Sequence, residues 1–321
     1  MLISEQKIIV CCPHAVTGGP ELLHQLVHEL RELGRDACIA YYPFDKKYTC
    51  PDAYKKYNAP QGKLIDEEGT FILLPEVATA FARKIRKAKV GIWWLSVDYY
   101  FPVTHQSKLK DIYGRCMSLI RGRLPLRSMR GLVHFTQSAY AEDFLKKAGI
   151  HSVPLSDYLG QDHLLNVYNG DGSDKLDIIV FNPKKGQRQT KALMERYPNL
   201  RFLPIQNMTS IQVSQLLHKA KVYVDFGHHP GKDRPPREAA IAGCCVVTGR
   251  KGAAKFHKDL PIPEKYKLDH NSLNYLDDFG LLVSSIFSDF NKHATSFIPY
   301  RDDILQEPQK FKSQVRYIFG Y

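Results

Sequence analysis

The chain has 321 residues, 44% of them apolar and 24% charged, with a formal net charge of +12. That is enough chain for two ordinary domains. No run of about 18 apolar residues crosses a membrane, and the start, Met1 to Lys7, lacks the basic and apolar blocks of a secretory leader. The seven cysteines show neither a CxxC nor a Cys/His ligand spacing, which argues against a disulfide framework and a zinc site.

Lys7 to Pro13 reads as a first strand, and Pro20 to Leu33 as an amphipathic helix with Leu22, Leu23, Leu26, Val27, Leu30 and Leu33 on one face. Asp36 to Tyr42 is a second strand. Phe71 to Pro75, a helix to about Lys87 and Lys89 to Leu95 repeat the alternation, followed by a strand at Leu132 to Thr136 and a helix at Ala139 to Lys147. A polar, turn-rich segment from Gly160 to Asp174 interrupts the pattern. Strand and helix alternation then restarts: Leu176 to Phe181, Thr190 to Tyr197, Arg201 to Pro204, Ile211 to Ala220 and Val222 to Phe226. Pro235 to Gly243 reads as a short helix with prolines in its first turn and a glycine stop, and Cys244 to Val247 as a buried strand. Asp302 to Phe319 is helical. Such alternation indicates parallel sheets with right-handed crossovers. It predicts an N-terminal Rossmann-like domain over 1–155, a second over 156–300, and a final helix, 301–321, able to pack back on the first.

Three loops carry candidate chemistry. Thr17-Gly18-Gly19 opens the first helix, where glycines admit close backbone approach and free N–H groups attract anions. It is not the GxGxxG dinucleotide pattern. Asn182 to Arg188 places Lys184, Lys185, Gly186 and Arg188 after a strand, where a doubly wound fold holds a diphosphate. Phe226 to Arg234 crowds His228, His229, Lys232 and Arg234 ahead of Arg237 and Glu238. Adjacent histidines point apart in most backbones, so this loop reads as anion-binding rather than metal-binding. Asp98, at a strand end among Trp93, Trp94, Tyr99 and Tyr100, is a candidate acceptor-side group.

The order of these loops, together with Glu238-Ala239-Ala240-Ile241-Ala242-Gly243-Cys244-Cys245-Val246-Val247-Thr248-Gly249, resembles the retaining GT-B glycosyltransferases, whose donor domain carries roughly E-A-x-A-x-G-x-P-V-V-x-[ST]. His134 to Tyr140 looks like that family's last N-domain strand and helix start, and Val153-Pro154-Leu155 like its inter-domain crossing. The resemblance implies an α/β fold of two Rossmann-like domains facing across a cleft. It also implies a hexosyltransferase-type enzyme (EC 2.4) that moves a sugar from a nucleotide-diphosphate sugar to a glycan or lipid-linked acceptor in cell-surface polysaccharide synthesis. By that likeness Glu238 binds the donor ribose, Lys184, Lys185 and Arg188 hold the diphosphate, and Gly18 and Gly19 face the donor phosphate or the acceptor. His229 is a further candidate donor contact. The first glutamate of the family's E-x7-E motif falls at position 230, where this chain has Pro230.

A departing diphosphate develops negative charge that fixed cations stabilise without a metal. Lys184, Lys232 and Arg237 are the candidates for that role, Lys185 also qualifies, no Asp-x-Asp is present, and neither metal nor cofactor is expected. The excess positive charge calls for an anionic partner. Lys108 to Arg130 interleaves seven cations with apolar residues, which suits an anionic membrane face and a lipid-linked acceptor. The expected location is therefore cytoplasmic, peripheral on the inner face of the cell membrane. No RNA-module signature appears, and nucleic acid is not expected. Two alternatives fit the same residues: a sugar-nucleotide epimerase, and a non-catalytic basic protein on a decayed transferase fold that binds a membrane or nucleic acid.

Overall fold

The structure is a computed structural model that describes residues 3–101 and 122–320, and between them Ile112, Gly114, Met117 and Ile120. The chain divides into two units, the first running to Tyr158 and resuming at Pro308, the second Leu159–Glu307. Four of the seven cations of the basic segment, Lys108, Lys110, Arg115 and Arg121, lie outside the described residues, and so does the membrane reading built on them. Among the described residues no helix is long and apolar enough to cross a membrane.

In the first unit the elements are β1 (Lys7–Pro13), α1 (Gly18–Glu32), β2 (Asp36–Tyr42), β3 (Thr70–Pro75), β4 (Lys89–Trp94), α2 (Val97–Tyr100), β5 (Val133–Thr136), α3 (Ala139–Lys147) and β6 (Val153–Pro154). The strands form one parallel sheet in the order β2-β1-β3-β4-β5-β6. Strand β1 shows why the sheet is buried on both faces. Its side chains alternate, so Ile8, Val10 and Cys12 join one cluster with Leu23, Leu26 and Leu30 of α1. Ile9 and Cys11 join the opposite cluster with Trp94 and Leu145. Burial raises the thiol pKa of Cys11 and Cys12, which behave as small core side chains.

The second unit follows the same logic with α4 (Gln161–Leu164), β7 (Leu176–Phe181), α5 (Gln187–Arg196), β8 (Arg201–Pro204), α6 (Ser210–Lys219), β9 (Ala220–Asp225), α7 (Arg234–Ile241), β10 (Cys245–Thr248), α8 (Tyr275–Ser288) and α9 (Phe290–Thr295). Its parallel sheet runs β10-β9-β7-β8. Ala239 and Ala240 of α7 are fully buried in the same cluster as Val222, Val224, Val246 and Val247. Small side chains let this helix lie close to the sheet.

Helix α10 (Ile298–Phe319) belongs to both units. Tyr300 and Ile304 enter the core of the second. Phe311, Val315, Ile318 and Phe319 enter that of the first, where Phe311 stacks on Trp93 with ring centroids 6.4 Å apart.

Three expectations change. Val153 and Pro154 are not a crossing: they form the edge strand β6, paired with Phe135 and Thr136, and the chain passes between units at Tyr158 and Leu159. The segment after Pro75 is a 3-10 helix, Glu76–Lys84, rather than an α-helix. Helices α8 and α9 fill a stretch to which periodicity assigned nothing.

Candidate functional site

The loops that follow β7 and β9 meet backbone against backbone at the carboxyl edge of the second sheet. In the first of them Asn182 shapes the turn: its Oδ1 accepts the Lys184 N–H at 3.0 Å and its carbonyl the Lys185 N–H at 3.1 Å. Gly186 then takes a left-handed conformation, φ 58°, and caps α5. A Cβ on Gly186 would lie 2.6 Å from the Phe226 carbonyl carbon, and one on Gly227 would lie 2.7 Å from Lys185 Cβ. Glycine at both positions is what lets the two loops close on each other. Lys184 and Arg188 stand exposed on this loop and the first turn of α5, while Lys185 is half-buried with its Nζ on Asp233 Oδ2.

The second loop is built around charges. Asp225 ends β9, almost fully buried, with its Oδ1 accepting the Gly227 N–H at 2.9 Å. His229 is 2% exposed, its Nε2 3.6 Å from Asp225 Oδ1 and its Nδ1 3.5 Å from Asp233 Oδ2. The candidate donor contact His229 therefore points into an ion cluster rather than to solvent. Burial favours the neutral form of both Asp225 and His229. The partners outweigh it: His229, Lys185 and the Gly227 N–H hold Asp225 at about 2, and Asp225 with Asp233 raises His229.

Asp225, His229 and Asp233 bring three possible ligand atoms within 4.8 Å of one another. One of the two carboxylates, Asp233, already holds the Lys185 ammonium. A metal ion entering there would have to displace that ammonium from Asp233.

Arg237 corrects an expectation. It is fully buried, with Nη1 on Glu307 Oε2 at 2.8 Å, Nη2 on the Lys232 carbonyl at 3.0 Å and Nε on the Asp233 carbonyl at 3.2 Å. Lys232 Nζ lies 2.5 Å from Glu307 Oε1. Two of the cations proposed to face a leaving group are thus joined to one carboxylate and fasten the loop ahead of α7. Glu238, one residue on, keeps 16% side-chain exposure, its Oε1 3.5 Å from both His163 Nε2 and Arg234 Nε.

In the first unit, Gly18 and Gly19 start α1, and Tyr54 pins the turn before them. The Tyr54 hydroxyl accepts the Thr17 N–H at 2.8 Å and donates to the Thr17 carbonyl at 2.7 Å. Asp98 is buried on α2, its Oδ1 accepting from the Tyr140 hydroxyl at 3.1 Å. Its role at an acceptor is limited by that burial.

Sequence reasoning missed Asp225, Asp233 and Glu307. The four-residue spacing of Asp225, His229 and Asp233 was the available signal for the first two. Glu307 lies 70 residues from Arg237, and nothing local announces the pairing.

Comparison with known proteins places this geometry. HepE from Anabaena, in a crystal structure with UDP-glucose, matches over 97% of this chain and 98% of its own, with a TM-score of 0.60 at 13% identity. Sucrose-phosphate synthase from Thermosynechococcus elongatus matches over 97% and 98%, with a TM-score of 0.63 at 12% identity. The chain has the GT-B fold. A glycosyltransferase from Rickettsia africae matches over 98% and 99%, with a TM-score of 0.59 at 12% identity. No family model matches the sequence, and no curated protein matches it. In this GT-B chain the cationic loop after β7 and the Glu238 helix stand at the carboxyl edge of the second parallel sheet, the edge at which open α/β sheets bind ligands.

Proposed function

We propose that the protein is a glycosyltransferase that moves a sugar from a nucleotide-diphosphate sugar to a glycan or lipid-linked acceptor. The observation that carries this reading is the second unit's ligand edge: Lys184, Lys185 and Arg188 gathered at the start of α5, with Glu238 on the neighbouring α7, in a fold shared with an enzyme crystallised with UDP-glucose. Lys184 and Arg188 hold the diphosphate together with the free N–H groups of α5, and Glu238 accepts hydrogen bonds from the ribose. The bond from the anomeric carbon to the phosphate oxygen breaks while a bond to the acceptor oxygen forms, and the acceptor's hydroxyl proton passes to the departing phosphate. Fixed cations stabilise the leaving charge, so the reaction proceeds without a metal, and transfer from the departing phosphate's own face retains configuration.

The test is direct. A thermal-shift screen of nucleoside diphosphates and nucleotide sugars is expected to raise the melting temperature with one base. Lys184→Ala is then expected to lower transfer by about 10²–10³-fold, with Glu238→Ala similarly impaired and both variants folded. Full activity in both sinks the site. Incubating the donor alone and following it by NMR separates transfer from epimerisation, because an epimerase turns over without an acceptor.

A further inference from the structure

Three segments bring one buried ring between two carboxylates: Asp225 from the end of β9, His229 from the loop, and Asp233 just before α7. A neutral imidazole carries one N–H, so one of its nitrogens would turn a lone pair toward a carboxylate oxygen. The charged ring carries two. Nδ1 lies 3.5 Å from Asp233 Oδ2 and Nε2 3.6 Å from Asp225 Oδ1, too long for hydrogen bonds, and Nε2 has no hydrogen-bond partner, so the ring meets the two carboxylates as a charge, which only the protonated form carries. Asp233 Oδ2 is shared, since it also takes the Lys185 ammonium. We infer that His229 is a charged positioning residue for Lys185: its imidazolium clamps Asp225 and Asp233, and Asp233 in turn fixes where the Lys185 ammonium stands.

The surroundings support this. The His229 carbonyl accepts the Ala253 N–H at 2.8 Å, so the backbone cannot swing the ring away. Asp225 is anchored from the sheet by the Gly227 N–H and by the Tyr223 hydroxyl at 3.4 Å. Lys232, Asp259 and Tyr300 line a small cavity together with His229, and the Lys232 charge is directed to Glu307. Two carboxylates, one imidazolium and one ammonium sum to zero. Loss of the ring proton leaves a net negative charge in a buried place, which releases Asp233 from the clamp. The carboxylates raise the proton affinity of His229 against burial and against Lys185. The clamp is therefore complete below the ordinary histidine value and is lost as pH rises through the higher folded-state value. The consequence at the donor rests on the function proposed above, whereas the ion network does not.

The free full-length protein tests it. Spectra of 15N-labelled histidine are expected to show both His229 nitrogens protonated at pH 7; a single neutral tautomer there overturns the proposal. Lys185→Met is expected to raise the His229 midpoint by about half a pH unit or more. In an Asp233→Asn background, which itself lowers the midpoint, the same substitution is expected to move it little. An unmoved midpoint in Lys185→Met, or an equal shift with and without Asp233, also overturns it. Should Asp233→Asn fail to fold, Lys185→Met on the half-buried loop carries the test alone. Calorimetric titration of UDP then addresses the donor. Wild-type affinity is expected to fall above the His229 midpoint, and His229→Gln to bind about tenfold more weakly at pH 7 with that pH dependence gone. A folded His229→Gln with wild-type affinity and pH profile overturns the positioning role. If the wild type binds no nucleoside diphosphate while the histidine coupling holds, the donor reading falls and the ion network stands.

Discussion

Glu76 shows what burial does to a carboxyl at a strand end. It follows β3, is 2% exposed, and its Oε2 accepts the Leu95 N–H at 3.0 Å. Burial pushes its pKa up to about 7, against the pull of the Leu95 N–H and of Arg123. The sign matters. In the unfolded chain this carboxyl ionises near 4.5, so between that value and about 7 the folded state holds the proton that the unfolded state has lost. Stability from this group is present below 4.5 and falls as pH rises through 7. Glu76→Gln keeps an acceptor for the Leu95 N–H and removes the titration. The difference in melting temperature between Glu76→Gln and wild type is expected to grow in the variant's favour from pH 4.5 to 8. A difference independent of pH would contradict the assignment. Asp225 behaves oppositely: its ion partners prevail over burial, and its stabilising contribution is lost only as pH falls from 3.8 through about 2.

At the scale of elements, the two pressed loops depend on missing side chains. Gly186 combines a left-handed backbone with a Cβ position 2.6 Å from backbone carbon, so Gly186→Ala must strain the turn and push the loops apart. The expected cost is about 1–3 kcal/mol, read as a lower midpoint in denaturant, with weaker nucleotide binding because Lys184 and Lys185 flank the moved turn. Gly131→Ala is the control, since nothing lies within 4 Å of its Cβ position and its φ is not positive; it is expected to change stability by less than about 0.5 kcal/mol. The same scale shows what sequence can reveal. Strands β1, β2, β7 and β8 were legible to the residue because each is a short run centred on apolar residues and bounded by turn or polar signals. The cationic turn at Lys184 and the Glu238 helix were legible for the same local reason. The pairing of Arg237 with Glu307 was not, because charge partners are chosen by packing across 70 residues. A sequence shows that Arg237 is basic and near a strand end. Only the fold shows that it is buried and already matched.

At the scale of the molecule, the two units differ in how the chain supplies them. The second, Leu159–Glu307, is continuous and contains its whole sheet and core cluster. The first takes four of its core side chains, Phe311, Val315, Ile318 and Phe319, from the far end of the chain, and the Ile3 N–H donates to the Ile318 carbonyl at 2.8 Å. Burying each such side chain stabilises by roughly 1.5–3 kcal/mol, so the four together contribute on the order of 6–12 kcal/mol. A domain's entire net stability is about 5–15 kcal/mol. Residues 159–307 expressed alone are therefore expected to fold and unfold in one cooperative transition by circular dichroism. Residues 1–158 alone are expected to lack such a transition, and to regain it when a peptide of residues 308–321 is fused through a flexible linker. Cooperative unfolding of 1–158 without that helix would show that the first unit's core is closed by its own chain and that α10 only covers it.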